Sequence, residues 1–414
     1  MKSRLFSRNY SLVVIGQVIS ILGSAILRFA LNLYVLDLTG RADIFGLLIA
    51  VSAIPAILFT PLGGVVADRL NRRNLMVIFD FSSSAVILLF ILLTRMENAS
   101  IIVVGAVLAM LSMISAMYQP VVQASIPLLV ERELLTSANG IVMGVAALSG
   151  LMGPVLGGVL YGMIGLNALV VAGCVAFFLS AVMEIFIQIP FTKPLSDKNI
   201  IPTIVDDMKL GIRYVVKERP TILKIIIIAA AFNSLMSPFF HVGTPYILRI
   251  TLQSSETMYG IGMGVGELST ILGAVLAGVI TKRLTLSTTH KLLFIVSAVM
   301  PFVVLSVTPM ILNLGYWQPF VLLISSSAIT MALLTTASIF VLTSIQKETP
   351  NAMLGKVMGI LMAVSQSAVP LGMALYGLAF EVFSNAIYVP ASCACLITAL
   401  IAFAAKRMLK NAEI

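Results

Sequence analysis

The sequence predicts an all-α membrane protein with twelve transmembrane helices in two pseudo-symmetric six-helix bundles. Three observations predict this fold class. Hydrophobic residues make up 59% of the 414 residues and charged residues only 10%, whereas soluble domains carry about a quarter charged residues. Apolar segments of about 20 residues, enough to cross about 30 Å of hydrocarbon as a helix, recur along the chain. The second half of the sequence also repeats motifs of the first.

Twelve apolar segments can be drawn, six in each half. They run over residues 10–36, 43–67, 74–94, 100–120, 137–162, 167–189, 222–248, 257–281, 290–309, 318–343, 353–380 and 386–405. The longest polar stretch lies between the sixth and seventh segments. The predicted organisation is therefore a first bundle over 1–189, a linker over 190–221 and a second bundle over 222–414.

Four short motifs recur at nearly one offset, between 212 and 215 positions. The pairs are 33–39 with 245–251, 64–69 with 278–283, 140–144 with 355–359, and 160–162 with 375–377. Such duplication in a membrane protein suggests two bundles that rock around a central site. Transport is therefore the leading hypothesis.

The basic residues lie between the apolar segments. The formal net charge is +9, but no soluble basic face suited to nucleic acid is formed. With the amino terminus assigned to the cytoplasm, 22 lysines and arginines fall on the inner side, while Arg41, Arg95 and Arg249 fall outside and Arg28 within a span. This asymmetry predicts that both termini are cytoplasmic.

Several other classes of protein find no support in the sequence. Cys174, Cys393 and Cys395 lie in apolar stretches, without the spacing of a metal site or a disulfide framework, and are interpreted as packing residues. We expect no metal, no cofactor and no catalytic residues, and no phosphate-binding loop for ATP is present. The first apolar segment exceeds a signal-peptide core and should remain in the mature protein.

The linker contains an amphipathic pattern. Ile204, Val205, Met208, Ile212, Val215 and Val216 recur at helical spacing, opposite Asp206, Asp207, Lys209, Arg213 and Lys217. The pattern predicts a helix along the inner membrane surface. It serves either as a strut or as a regulatory docking site.

A conspicuous motif ends the second segment. It consists of Gly64, Asp68, Arg69, Arg72 and Arg73. Gly64 would let a neighbouring helix approach closely, and Asp68 would accept hydrogen bonds from a helix amino terminus or pair with an arginine. A contact that forms in one conformation and breaks in another would act as a gate. The alternative is a simple stop-transfer cluster of basic residues.

This motif resembles the signature loop of the major facilitator superfamily. The resemblance extends over the whole chain through the twelve spans, the duplication and the linker. It implies alternating access between two bundles. The second copy of the motif has Lys282 where Asp68 stands, so only the first half is expected to carry a complete charge latch.

A second motif lies in the fifth segment and consists of Gly140, Ser149, Gly153, Pro154, Gly157 and Gly158. It is similar to the superfamily's antiporter motif, with Ser149 replacing one glycine, and this resemblance implies export. Ordinary close packing of small residues is the alternative. The phrasing of residues 33–40, 67–73 and 126–139 also resembles macrolide-efflux proteins and the related enterobactin-type exporters.

Ionisable residues inside spans are functional candidates because they are unfavourable in lipid. Arg28 lies in the first segment, and Asp37 lies near its outer end, where an exposed cap is the favoured interpretation. His241 and Glu267 flank a short outer loop at similar depth and form either a proton-exchanging pair or a structural contact. Asp80 and Glu184 are expected to be structural partners of the motif arginines rather than substrate contacts. The fourth segment carries no charge, so coupling would use other groups.

The predicted substrate cavity is aromatic and methionine-rich, which suits bulky amphiphiles because such side chains repack around different shapes. The candidate residues are Gln17, Phe29, Asn32, Tyr34, Asn233, Met236, Phe239, Phe240, His241 and Tyr246. The alternative is that many of them only pack helices together.

The function predicted from the sequence is export of drug-like or macrolide-like amphiphiles, in exchange for protons, by a monomer in the bacterial inner membrane. Its expected partners are the small-molecule substrate, protons and lipid. Two rivals remain: an exporter of a physiological siderophore or lipid, and a transporter-like sensor or scaffold without turnover.

Overall fold

The computed structural model describes residues 7–94, 99–190, 208–280 and 289–409, and these residues form helices without any strand. Within these ranges, ten helices are long and apolar enough to span a membrane, and a shorter apolar helix covers His290–Ser306. The longest of the ten is broken at Gly165, where φ is 73°. Dividing this helix and adding the shorter one gives the twelve spans that the sequence predicts.

Helices of the first half begin and end at recognisable signals. The Ser7 side chain accepts a hydrogen bond from the Tyr10 backbone N–H at the start of α1, and Gly40 ends α1 with a φ of 61°. The five helices are α1 (Arg8–Thr39), α2 (Ala42–Arg69), α3 (Arg72–Thr94), α4 (Ile101–Leu129) and α5 (Leu135–Glu184). The fourth continues nine residues past its predicted end, through Pro120 and Pro127.

Helices of the second half are more interrupted. The main elements are α6 (Pro220–Pro238), α7 (Glu256–Ile280), α8 (Thr289–Ser306), α9 (Trp317–Glu348), α10 (Asn351–Ser367), α11 (Val369–Val382) and α12 (Tyr388–Leu409). Beyond α6 the helix continues to Thr251 through two π-helical turns, Phe239–Gly243 and Ile247–Thr251. A π-turn widens the helix locally and is frequent at functional sites.

The chain divides into two compact units. Unit 1 comprises residues 1–40, 48–196 and 254–264, and unit 2 comprises residues 41–47, 197–253 and 265–414. In unit 1, α1 packs along both arms of α5, and α3 packs against α4 and α5. In unit 2, α8 packs against α9 and α12, while α6 contacts α10, α11 and α12.

Only part of the predicted linker helix falls within the described residues. Residues 208–213 are helical and lead into a π-helical turn over Tyr214–Glu218. Ile204, Val205, Asp206 and Asp207 lie outside the described ranges. A Cβ built on Gly211 would lie 2.8 Å from Ile360, so this face packs on α10. Met208, Ile212 and Val216 are each more than 40% exposed, as expected for side chains that face lipid.

Candidate functional site

Unit 2 encloses a mainly apolar cavity of about 310 Å³ between α6, α7, α8 and α9. This volume lies at the lower end of the roughly 300–1,000 Å³ range of ligand pockets. A few polar groups in the cavity wall can orient a ligand, while most of the contact area is apolar. The lining includes Ile225, Ile228, Phe232, Asn233, Met236, Ser237, Phe240, His241, Thr270, Met331, Leu334 and Ser338.

The predicted cavity residues of the second half separate into two groups. Asn233, Met236, Phe240 and His241 line the cavity. Phe239 and Tyr246 do not; each ring lies 6.0 Å from the ring of Phe380 in a buried aromatic cluster. Neighbouring positions differ by about 100° around a helix. The two adjacent phenylalanines therefore face different surroundings, which composition alone does not distinguish.

His241 is oriented by the first π-turn. Its Nδ1 lies 2.7 Å from the carbonyl oxygen of Ser237. Because a carbonyl oxygen only accepts, Nδ1 carries the hydrogen of this bond. The neutral ring then keeps Nε2 as a hydrogen-bond acceptor for a ligand hydroxyl or a proton. His241 is exposed at the cavity wall.

No hydrogen bond or ion pair joins His241 and Glu267 among the contacts of the described residues. The sequence predicts that His241 and Glu267 lie at similar depth, and the described contacts include no direct bond between them. Proton exchange between the two residues stays a prediction.

The cavity candidates of α1 lie in unit 1 and do not line the unit 2 cavity. Phe29 packs against Tyr259 with ring centroids 5.1 Å apart, and the Tyr34 hydroxyl accepts a hydrogen bond from the Ala99 N–H at 2.9 Å. The Asn32 Oδ1 and both amide atoms of Gln17 are buried, and no described group bonds to them. Phe29 and Tyr34 are therefore engaged in local contacts, whereas Gln17 and Asn32 have buried polar atoms without a described partner.

The two charged candidates of α1 differ in their surroundings. Arg28 is half-buried and makes no hydrogen bond or ion pair to another described residue. Asp37 is exposed near the end of the helix, as expected for a cap. A guanidinium inside a membrane needs an acceptor, so Arg28 retains unused capacity to bind an anion.

The loop after α2 ties helix ends together through its arginines. Arg72 donates to the carbonyl oxygens of Ala67 at 3.0 Å and Ala124 at 2.9 Å. Arg73 donates to the carbonyl oxygen of Ile185, at the carboxyl end of α5. Cations at a helix carboxyl end are stabilising. Arg69 is exposed, and the side chain of Asp68 lies outside the described part of the structure.

The close approach expected at Gly64 occurs one residue earlier. No described atom lies within 4 Å of a Cβ built on Gly64, whereas one on Gly63 would lie 2.8 Å from the Cα of Met117. The expectation is corrected accordingly: among the described residues, Gly63 and not Gly64 makes the close contact with α4. Either of two adjacent glycines fits the motif, and only the rotation of the helix about its own axis decides which one contacts α4.

Three glycines of the second motif make close helix contacts. A Cβ on Gly153 would lie 2.6 Å from the Cβ of Ala25, and one on Gly157 would lie 2.7 Å from the ring of Phe29. A Cβ on Gly158 would collide with the backbone carbonyl of Glu256 in the first turn of α7, which clusters with unit 1. Ser149 is buried, Pro154 lies inside α5, and no described atom lies within 4 Å of a Cβ built on Gly140.

A charged cluster at the start of α2 was missed by sequence reasoning. Arg41 forms an ion pair with Asp43 at 2.6 Å and lies 3.8 Å from Glu381, all within unit 2. The Glu381 carboxylate also accepts a hydrogen bond from the Ala42 N–H at 2.9 Å. The hydrogen bonds to Asp43 raise the pKa of the Arg41 guanidinium. Arg41 and Asp43 are close in the sequence, but Glu381 is distant, so no local pattern reveals that the three residues form one cluster.

Asp80 and Glu184 differ from their predicted role. Asp80 accepts a hydrogen bond from Ser20 at 2.5 Å, and Glu184 accepts one from Tyr118 at 2.7 Å. The motif arginines Arg72 and Arg73 donate to backbone carbonyls instead. This corrects the expectation that both acids are partners of the motif arginines.

Comparison with known families agrees with this architecture. Residues 13–406 match the family described as the Major Facilitator Superfamily, and the chain belongs to that superfamily. It is therefore a multi-pass membrane protein of a transporter class.

Individual relatives share only low sequence identity with the chain. The chain is 25% identical over 285 residues to macrolide efflux protein A of Streptococcus pyogenes, covering 66% of this chain and 67% of that protein. It is 23% identical over 399 residues to the uncharacterized MFS-type transporter y4rN of Sinorhizobium fredii, covering 94% and 92%.

Solved structures with the same fold include the nucleoside transporter NupG, with a TM-score of 0.75, 14% identity and coverage of 98% and 100%. A bacterial homologue of the iron transporter ferroportin in an inward-facing state gives a TM-score of 0.70, 16% identity and coverage of 95% and 98%. At these identities the structures show the fold alone.

Proposed function

We propose that this protein is a secondary transporter that exports amphiphilic small molecules from bacteria in exchange for protons, by alternating access. Both termini then lie in the cytoplasm, and the linker helix lies on the inner membrane surface. The gating loop of Arg72 and Arg73 and the glycines of α5 are the proposed moving contacts between conformations. The protein works as a monomer, with substrate, protons and lipid as its partners.

The observation that carries this proposal is the unit 2 cavity. Its wall combines flexible Met236 and Met331 and aromatic Phe232 and Phe240 with a histidine. Methionines and aromatic rings adapt to ligands of different shape. At about 310 Å³, the cavity holds a small amphiphile, or one apolar face of a larger one. The distant relation to macrolide efflux proteins supports the same substrate class.

Substitution of the cavity wall tests the proposal. Ser338→Phe places a ring in the cavity, and Val321→Phe adds the same ring on a 57% exposed side of the same helix. Transport of a macrolide and a fluorescent amphiphile is measured in proteoliposomes with and without a proton gradient. We expect Ser338→Phe to lower transport about tenfold and Val321→Phe to leave it unchanged. Equal activity of both variants would contradict the cavity assignment, and indifference of the native protein to the gradient would contradict proton exchange.

Arg28 supports a second candidate, the export of an anionic siderophore or lipid. Its half-buried guanidinium makes no bond to another described residue, and an anionic ligand would supply the acceptor. Competition by a lysolipid phosphate and by an uncharged glycolipid of equal chain length distinguishes the candidates. Stronger competition by the phosphate, lost in Arg28→Gln and kept in Arg28→Lys, favours the anionic substrate. Equal competition in all three proteins argues against it.

Glu267 remains the proposed coupling acid of unit 2, with His241 as its proposed proton-exchange partner. Glu267→Gln is expected to abolish gradient-driven transport while downhill transport persists, because the amide binds no proton at physiological pH. Undiminished gradient-driven transport in this variant would remove Glu267 from the coupling mechanism.

A further inference from the structure

A cluster of buried polar side chains lies inside unit 1, where α1, α3, α4 and the second arm of α5 meet. Glu184 is 0% exposed and Asp80 is 3% exposed. We call this group of side chains the acidic cluster; its two parts meet at Gly16, where an added Cβ would lie 3.4 Å from Glu184 Oε1 and 3.5 Å from Ser180 Oγ. Its members are Ser20, Asp80, Tyr118, Ser180 and Glu184.

Neither carboxyl group is neutralised by a cation among the described residues. α1 contributes only uncharged groups to the acidic cluster, and Tyr118 is the titratable group of α4. On α5, the Cys174 thiol faces Ser84 of α3. Arg73 of α3 donates to the Ile185 carbonyl oxygen instead. A carboxylate buried without a cation is unfavourable unless it binds a proton or a cation, or accepts strong hydrogen bonds.

The acidic cluster has more close oxygen–oxygen contacts than hydroxyl hydrogens to fill them, and one added proton would supply the missing hydrogen. The Ser20 hydroxyl contacts both Asp80 Oδ2 at 2.5 Å and Ser180 Oγ at 2.9 Å, and the Ser180 hydroxyl donates to the Gly16 carbonyl at 3.3 Å. Each hydroxyl owns one hydrogen. A proton on Asp80 completes a chain in which Asp80 donates to Ser20, Ser20 to Ser180, and Ser180 to Gly16.

The ionised form has a satisfied arrangement of its own. In it, the Ser20 hydroxyl donates to Asp80 Oδ2, while the Ser180 hydroxyl keeps its hydrogen bond to the Gly16 carbonyl. Rotation of one hydroxyl, that of Ser20, therefore accompanies the gain or loss of one proton.

Several buried polar atoms in and beside the acidic cluster have no described hydrogen-bond partner, and such atoms are candidates for proton entry. Glu184 Oε2 and both amide atoms of Gln17 are buried and bond to no described group. Gln17 shares the α1 face of Ser20, one turn away. Ile185, the residue after Glu184, lines a polar cavity of about 870 Å³ at the end of unit 1 that holds Arg8 and Arg73.

We propose that the acidic cluster is a proton-binding site shared by Glu184 and Asp80, in which Glu184 exchanges a proton with water at the Ile185 end. The proton leaves one carboxyl oxygen for water and returns from water, so no other reactant is needed. This site rests on the proposed proton exchange and is separate from the His241–Glu267 pair of unit 2.

Paired transport assays test the assignment. Asp80→Asn, Glu184→Gln and the double variant are compared with Glu133→Gln, which removes an exposed carboxylate outside the acidic cluster. The measured quantity is gradient-driven accumulation of a fluorescent amphiphile divided by its downhill transport. We expect this ratio to fall about tenfold or more in the double variant, as for a coupling of ordinary strength, and to stay unchanged in Glu133→Gln. Downhill transport and a single size-exclusion peak show that the variants fold.

Infrared titration of the purified protein gives an independent readout. We expect a protonated-carboxyl band that changes with pH and disappears in the double variant. A native protein that ignores the gradient would contradict proton exchange itself. A native protein that responds to the gradient, with double-variant ratios equal to native and an unchanged infrared band, would overturn only the assignment of the acidic cluster.

Discussion

Single residues decide where the helices of this protein touch, and glycine is the residue that decides most often. Gly158 and Gly260 face one another, so that a Cβ on Gly158 would lie 3.0 Å from the Cα of Gly260. Gly46 and Gly377 form the same contact in unit 2, where a Cβ on Gly46 would lie 2.8 Å from the Cα of Gly377. Backbone atoms cannot rotate away as a side chain does, so these positions exclude larger residues.

Gly158→Val is expected to destabilise unit 1 by about 1–3 kcal/mol, the usual range for overpacking. The added methyls meet the backbone of α7 at Glu256. The thermal midpoint of the detergent-purified protein measures the effect. Gly144→Ala is the control, because no described atom lies within 4 Å of its Cβ position. A valine variant as stable as the control would show that this contact is not close-packed.

At the scale of elements, charged side chains bind helix ends to their neighbours. Arg73 connects the start of α3 to the end of α5 through the Ile185 carbonyl. Glu381 in α11 provides the opposite kind of contact: its carboxylate accepts a hydrogen bond from the first N–H group of α2, at the amino end of that helix. Both contacts satisfy backbone groups that have no partner inside their own helix.

Arg73→Ala is expected to lower stability by about 1.5–3 kcal/mol, because it removes a charge-assisted hydrogen bond to a helix carboxyl end. Arg73→Lys keeps the charge but loses the planar fork, so its effect should be intermediate. Thermal unfolding of the three proteins in one detergent ranks them. Equal midpoints for alanine and arginine would show that water replaces this contact without loss.

Glu381→Gln is expected to destabilise the first turn of α2 by roughly 1 kcal/mol, the typical value of a lost cap. The weakened acceptor also releases Arg41 from its second carboxylate. Glu348→Gln is a matched control. Among the described residues the ion pair of Glu348 is with Arg219 at 4.0 Å, where both groups are partly exposed, and such pairs contribute little. Hydrogen exchange of residues 42–47 reports the effect, and unchanged exchange would contradict the capping role.

At the scale of the whole molecule, the repeat of the sequence is visible in contacts inside each unit. Gly46 and Gly260 stand 214 positions apart in the sequence, and each meets a glycine of another helix. The units nevertheless differ: the buried acids Asp80 and Glu184 belong to unit 1, and the apolar cavity belongs to unit 2. Duplication thus provided a common frame that the two copies have used for different chemistry.

The charge asymmetry of the loops predicts that both termini are cytoplasmic. Fusion of a green fluorescent protein to either terminus should give fluorescence, and fusion of alkaline phosphatase should give no activity. Insertion of the phosphatase at Gly315, in the turn before α9, should give an active enzyme. The reverse pattern would invert the proposed topology and place the linker helix outside.

The sequence by itself determined the fold class, the number of spans and the duplication. These properties follow from local composition, because lipid requires about 20 apolar residues per helix and satisfies no backbone group. Four of the candidate cavity residues named from the sequence, Asn233, Met236, Phe240 and His241, line the unit 2 cavity. The sequence did not separate Phe239 from Phe240 or Gly63 from Gly64, because the exact phase of a helix against its neighbours is set by tertiary packing. The tertiary structure alone brought Ser20, Asp80 and Glu184 together from three different helices. Contacts between residues 60 to 160 positions apart leave no periodic signal in one sequence, since they depend on which helix faces meet.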